Sequence, residues 1–115
     1  MTRPFPALLL GLICAGLSAL AVADSSGVTA TKLTVGGVMD LQGDSQGLGS
    51  NMKLGLDAAL QGQKVQGRSV ELLVRNDFYD PKLAVTATQE LLQQGIFAML
   101  GNVGTPTAKA TLPLL

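Results

Sequence analysis

Ile96-Phe97-Ala98-Met99-Leu100-Gly101-Asn102-Val103-Gly104-Thr105-Pro106-Thr107-Ala108 is the stretch that decides how this chain folds. Its five leading apolar residues, Ile96 to Leu100, read as a strand covered on both faces. The two glycines that follow let the backbone turn sharply and come close to a ligand. Thr105 then reads as a helix N-cap and Pro106 as the first helical residue. A strand, a glycine turn and a capped helix start place backbone N–H groups and the hydroxyls of Thr105 and Thr107 around one small volume, which suits a carboxylate. The stretch holds no acid, base or nucleophile, so it reads as a binding loop and not a catalytic one. The plainer alternative is that Thr105 merely caps the helix and Thr107 faces solvent.

The same strand-to-helix unit recurs upstream. Lys32 to Val38 reads as a first strand, and the glycine-rich loop Met39 to Gly49 carries Asp40, Asp44 and Ser45 as turn formers or ligand contacts. Ser50 looks like the cap of a first helix reaching about Gln61, with Met52, Leu56, Ala59 and Leu60 on one face and Gly62 as its stop. Ser69 to Arg75 alternates apolar and polar residues as a second strand. Asp80 and Pro81 form a strong helix start. This second helix runs to about Gln94, with Ala84, Ala87, Thr88, Leu91 and Leu92 inward and Gly95 as a left-handed stop. Phe78 and Tyr79 read as a staple or lid on that helix, or as ligand contacts. Asp77 and Asp80 could pair for acid–base work, though capping explains Asp80 better.

The resulting order, β-α-β-α-β-α, implies an α/β fold with a parallel Rossmann-like sheet in the order 2-1-3 and right-handed crossovers. Ligands of such sheets sit beyond the carboxyl ends of the strands, where strand order reverses. That point lies between the first and third strands, flanked by the loops Asp40 to Leu48 and Asn102 to Thr107. No G-x-G-x-x-G pattern occurs; Asn76-Asp77 stands near the acidic position of a dinucleotide site and leaves a nucleotide as an alternative ligand.

Composition narrows the function. Residues 1–23 read as a cleaved signal peptide: Arg3 in a short n-region, an apolar run from Leu8 to Val22, and Ala21-Val22-Ala23 before a cut at Asp24. A membrane anchor is the alternative, but the run is short and lacks a basic stop. Ile13 before Cys14 argues against a lipoprotein, so Cys14 leaves with the leader. The remaining chain then has no cysteine, and with no histidine anywhere neither a metal nor a cofactor is expected. Eight basic residues balance eight acidic ones, and removal of Arg3 leaves a net charge of −1. With few aromatics and no basic patch, nucleic acid is excluded as a partner. Asp24 to Thr31 reads as a flexible lead-in, and Pro113-Leu114-Leu115 as the approach to a fourth strand. The sequence thus reads as a fragment or a truncated product.

Lys32-Leu33-Thr34-Val35-Gly36, Gly49 to Leu60, Val65-Gln66-Gly67-Arg68, Asn76-Asp77-Phe78-Tyr79-Asp80-Pro81 with Ala84-Val85, and Gly101 to Thr107 occur in an order that resembles the solute-binding proteins of branched-chain amino-acid ABC transporters. The resemblance implies the first half of the N-terminal lobe of a two-lobed, type I periplasmic binding protein, not an enzyme. It implies a periplasmic monomer that hands a small amino acid or related carboxylate to an inner-membrane permease. A sensor feeding a receptor, or a truncated product without function, is the alternative. By position, the ligand's carboxylate falls to Thr105, with Val103, Gly104 and Thr107 alongside. Leu48 stands where relatives carry an aromatic that covers the ligand. Some relatives link the positions of Tyr79 and Gly104 through a cysteine pair, which is absent here. The later acidic residue that holds an α-ammonium has no counterpart.

Overall fold

The computed structural model describes residues 26–115; the expected leader lies outside them. The elements are β1 (Lys32–Met39), α1 (Gln46–Leu60), β2 (Lys64–Val65), β3 (Arg68–Asn76), α2 (Pro81–Gln94), β4 (Ala98–Met99) and α3 (Thr105–Thr111), followed by a 3-10 turn at Leu112–Leu114. One sheet holds the strands in the order β2-β3-β1-β4. β1 runs parallel to both β3 and β4, so the three expected strands lie as 2-1-3 in an α/β fold.

The short strand β2 was not expected. Lys64-Val65 pairs antiparallel with Arg68-Ser69. Gln66 (φ 49) and Gly67 (φ 80) link them, both left-handed. A two-residue hairpin needs that conformation to match the strand twist. Gln-Gly is a weaker form of the Asn-Gly signal, which is why the segment reads as a plain turn in the sequence.

Alternation along β1 divides the sheet into two faces. On one, Gly36 lies under Ile96 and Leu91. Val38, Ala84, Ala87, Leu91 and Ile96 form the core there, with Leu73 and Met99 packed against it. α2 supplies Ala84, Ala87, Thr88 and Leu91 at helical spacing. Leu92 sits about 100° further round the helix and is 39% exposed rather than inward as expected. The ends of α2 follow the sequence reading. The Asp80 carboxylate accepts from Lys82 N at 2.7 Å and Leu83 N at 3.3 Å, and Gly95 closes the helix left-handed.

Other boundaries move for physical reasons. α1 begins at Gln46 and not after Ser50, and Ser45, its N-cap residue, makes no side-chain cap bond. Met52 and Ala59, expected inward, are exposed, and α1 meets the sheet chiefly at β3. β4 has two residues and pairs only with β1 among the described residues. Its backbone bonding still extends outward, through Phe97 N to Thr34 O (2.8 Å) and Leu100 N to Gly36 O (2.7 Å). Phe97 is 55% exposed, so the expected cover on both faces is not present there. Thr105 is the first residue of α3 and Gly104 is its N-cap, one position earlier than the sequence suggests. Pro113 and Leu114 lie in the 3-10 turn and not in an extended approach.

Candidate functional site

The carboxyl ends of β1, β3 and β4 bring three loops together, and a polar side chain ties down each one. Asp40, just past β1, is fully buried. Its carboxylate accepts from the N–H groups of Gln42 (3.1 Å), Gly43 (2.5 Å) and Ser45 (2.9 Å). Burial alone pushes this carboxyl up, but the three N–H groups outweigh it and hold Asp40 below its usual range. The knot also explains the early start of α1. The loop closes around Asp40, and Gly49 in the first turns of α1 lies against the Asp40 backbone, where a Cβ would collide with the carbonyl oxygen. No other residue fits there.

Asn76, at the end of β3, accepts from Leu41 N (2.8 Å) and Phe78 N (3.2 Å), joining the first loop to the second. Asn102, past β4, accepts from Val38 N at 3.2 Å, while Val103 N donates to Val38 O at 3.2 Å. The Asn102 amide thus replaces a backbone carbonyl where the chain has left the ladder. Sequence reading assigned neither asparagine this role. Asn just beyond a strand end is a backbone-bonding residue, but the same side chain would suit a ligand equally well.

Gly101 lies beneath α1, in contact with Leu56 and Met52. Leu48 sits one turn before Met52 on the same helix face, towards the carboxyl edge of the sheet, and is 60% exposed. The two loops expected to flank the strand reversal therefore do flank it. Val103 is held at both backbone ends: its N–H bonds Val38, and its carbonyl accepts the Thr107 hydroxyl at 2.9 Å. Thr107 is buried and also donates to Gly104 O (3.0 Å), so its hydroxyl fixes the loop and does not face solvent. Thr105 is exposed. Among the described residues, its hydroxyl, its N–H and the N–H of Gly104 have no protein partner.

Opposite this corner lies the turn Asp77–Asp80, closed by Asp80 N to Asp77 O at 2.9 Å. Phe78 (φ 52) and Tyr79 (φ 61) are both left-handed, an uncommon state for aromatic residues. The Tyr79 ring reaches Gly104, joining this turn to the loop after β4. Asp80 serves as the α2 cap. Among the described residues no group of three or more His, Cys, Asp or Glu could hold a metal ion. Concavities of 460 Å³ between α1 and β3 and of 450 Å³ beside Lys32 and Gly95 lie away from this corner.

The sequence model for periplasmic binding proteins matches residues 32–115. This chain belongs to the periplasmic binding protein family. Its fold matches a fatty acid ABC transporter substrate-binding protein from Thermomonospora curvata at 29% identity and TM-score 0.73, over 78% of this chain and 24% of that one. A possible leucine/isoleucine/valine-binding protein from Rhodopirellula baltica matches at 31% identity and TM-score 0.70, over 79% and 26%. A solute-binding protein of an ABC transporter from R. palustris, in complex with 4-hydroxybenzoate, matches at 32% identity and TM-score 0.65, over 73% and 24%. The chain spans about a quarter of the length of these structures. No curated protein matches it. These periplasmic binding proteins are substrate-binding components of transport systems, and the sheet described above corresponds to part of their N-terminal lobe.

Proposed function

We propose that the chain supplies the carboxylate-holding shelf of a solute-binding protein serving an ABC importer in the periplasm. The observation behind this reading is the Gly104–Thr105 corner. There two N–H groups and one hydroxyl lack protein partners among the described residues, at the edge where parallel sheets take their ligands. Thr107 donates to the carbonyls of Val103 and Gly104, whereas the donors of the corner have no protein partner among the described residues. Met52, against Gly101, and Leu48 one turn before it add apolar surface on the neighbouring helix. Each hydrogen bond to an ionised carboxylate contributes about 1.5–3 kcal/mol.

The solute is a small carboxylate: a branched-chain amino acid, as the Rhodopirellula relative suggests, or an aromatic acid like the 4-hydroxybenzoate in the R. palustris complex. The shelf recognises the acid end that both classes share, because Asp40 is turned to backbone and cannot hold an ammonium. The protein binds without transforming the solute, acts as a monomer, and delivers it to an inner-membrane permease. A leader cut after Ala23 brings it to the periplasm. Calorimetry of the full chain with L-leucine and with 4-hydroxybenzoate, before and after Thr105→Ala, tests this. Affinity for the bound solute falls about tenfold or more if Thr105 holds the carboxylate, and an unchanged affinity rejects the assignment.

A further inference from the structure

We infer that Asp77 is a positioning residue for the Gly104 corner, carrying a proton while Tyr79 rests on Gly104 and loosening that contact when it ionises. The consequence for a solute rests on the binding reading above; the contact itself does not.

The Asp77 side chain is fully buried. Its Oδ1 accepts from Tyr79 N at 2.9 Å, whereas its Oδ2 has no partner among the described residues. Its backbone N–H bonds Met39 O at 3.2 Å, pinning it beside the end of β1, where Asp40 begins the next loop. The charged groups whose fields reach it are Asp40 from that loop and Asp80 from its own turn, both negative. From α3 and the residue before it, the corner receives Thr107 and Gly104, which carry no charge. A buried carboxylate oxygen with no donor, beside two negative groups, is better accommodated as a neutral acid. Burial is the main cause pushing Asp77 above its ordinary value of 3.8; Asp40 and Asp80 push the same way, against the N–H groups of Tyr79 and of Asp77 itself.

Ionisation places a second charge against Asp40, within a turn that already holds Phe78 and Tyr79 left-handed. Opening that turn exposes the carboxylate to water and relieves both at the cost of the Tyr79 N–H bond, and it withdraws Tyr79 from Gly104. The folded-state value of Asp77 is raised, so its stabilising contribution is complete below 3.8 and is lost as pH rises through the raised value.

Tyr79 is the one tyrosine of a chain without tryptophan. Near-ultraviolet circular dichroism and tyrosine emission of the full chain therefore report on this contact. A titration from about pH 3 to pH 8 gives a transition with its midpoint above the ordinary value of 3.8. Asp77→Asn, a neutral isostere, abolishes the transition and keeps the low-pH signal. Asp80→Asn, which can still cap α2, keeps the transition and lowers its midpoint. A flat wild-type signal, or an Asp77→Asn protein that titrates like wild type, overturns the inference. Should Asp77→Asn fail to fold, carbon-13 detection of the Asp77 carboxyl in the wild type replaces it, and a midpoint at or below 3.8 overturns the inference equally. Loss of the Thr105→Ala effect with this transition intact removes the binding assignment and leaves the inference standing.

Discussion

Tyr79 occupies the space that a side chain on Gly104 would need. A Cβ at 104 would stand 2.7 Å from Tyr79 Cε2 and 3.2 Å from Cδ2, with Thr107 Oγ1 on it at 2.6 Å. The loop after β3, the loop after β4 and the first turn of α3 thus meet at one glycine, which also holds φ 107. An aromatic contact thus joins the two loops.

Gly104→Ala should therefore carry both a steric and a backbone penalty. Stability of the full chain in urea denaturation falls by about 1–3 kcal/mol, the usual scale for a residue forced into a disfavoured backbone state. The Tyr79 near-ultraviolet signal changes with it. A variant as stable as wild type with an unaltered tyrosine spectrum would show that the two loops are not packed as described.

Asp40 makes the chain acid-sensitive with a definite sign. Its folded-state value is lowered by three backbone N–H groups, so the stability it contributes is present above its ordinary value of 3.8 and is lost as pH falls through the lowered one. Urea midpoints measured between about pH 2 and pH 5 should drop on the acid side in wild type. They should drop less in Asp40→Asn, which begins from a lower stability because its amide meets the three N–H groups poorly.

Thr88 offers the opposite case. It is fully buried on α2, and its hydroxyl has no partner among the described residues. Thr88→Val keeps the shape and removes the orphaned group, so stability rises by about 1 kcal/mol. A loss of stability on this substitution would mean that the hydroxyl has a partner after all.

The parts of this fold that were legible in the sequence are those where one local signal acts alone. The Asp80-Pro81 start and Gly95 stop of α2 stand where the cap rules put them, because capping is settled within one turn of chain. β3 follows from simple alternation, and β1 from its apolar residues around the Gly36-Gly37 pair. The start of α1 was misplaced because it depends on Asp40 reaching three N–H groups and on Gly49 touching the Asp40 backbone, contacts that only the folded loop creates. β4 looked like a strand covered on both faces, yet Phe97 beside it is exposed, and what covers a strand is a property of the sheet and not of its own residues. At the site, the corner itself could be read from Gly-Thr-Pro, but Thr105 and Thr107 look alike in sequence. Folding separates them: Thr107 turns inward to two carbonyls, and Thr105 stays outside. Asn76 and Asn102 were equally hidden, since nothing local says whether an amide faces backbone or ligand.

The central claim is that Gly104 and Thr105 present their N–H groups to a carboxylate. The most direct measurement is a titration of the nitrogen-15-labelled full chain with L-leucine and with 4-hydroxybenzoate, following each backbone amide by NMR. Gly104 and Thr105 are expected to shift downfield and to saturate with at least one of these acids, with Val103 and the residues around Leu48 moving less. Saturating shifts confined to other residues, with Gly104 and Thr105 unmoved, would contradict it.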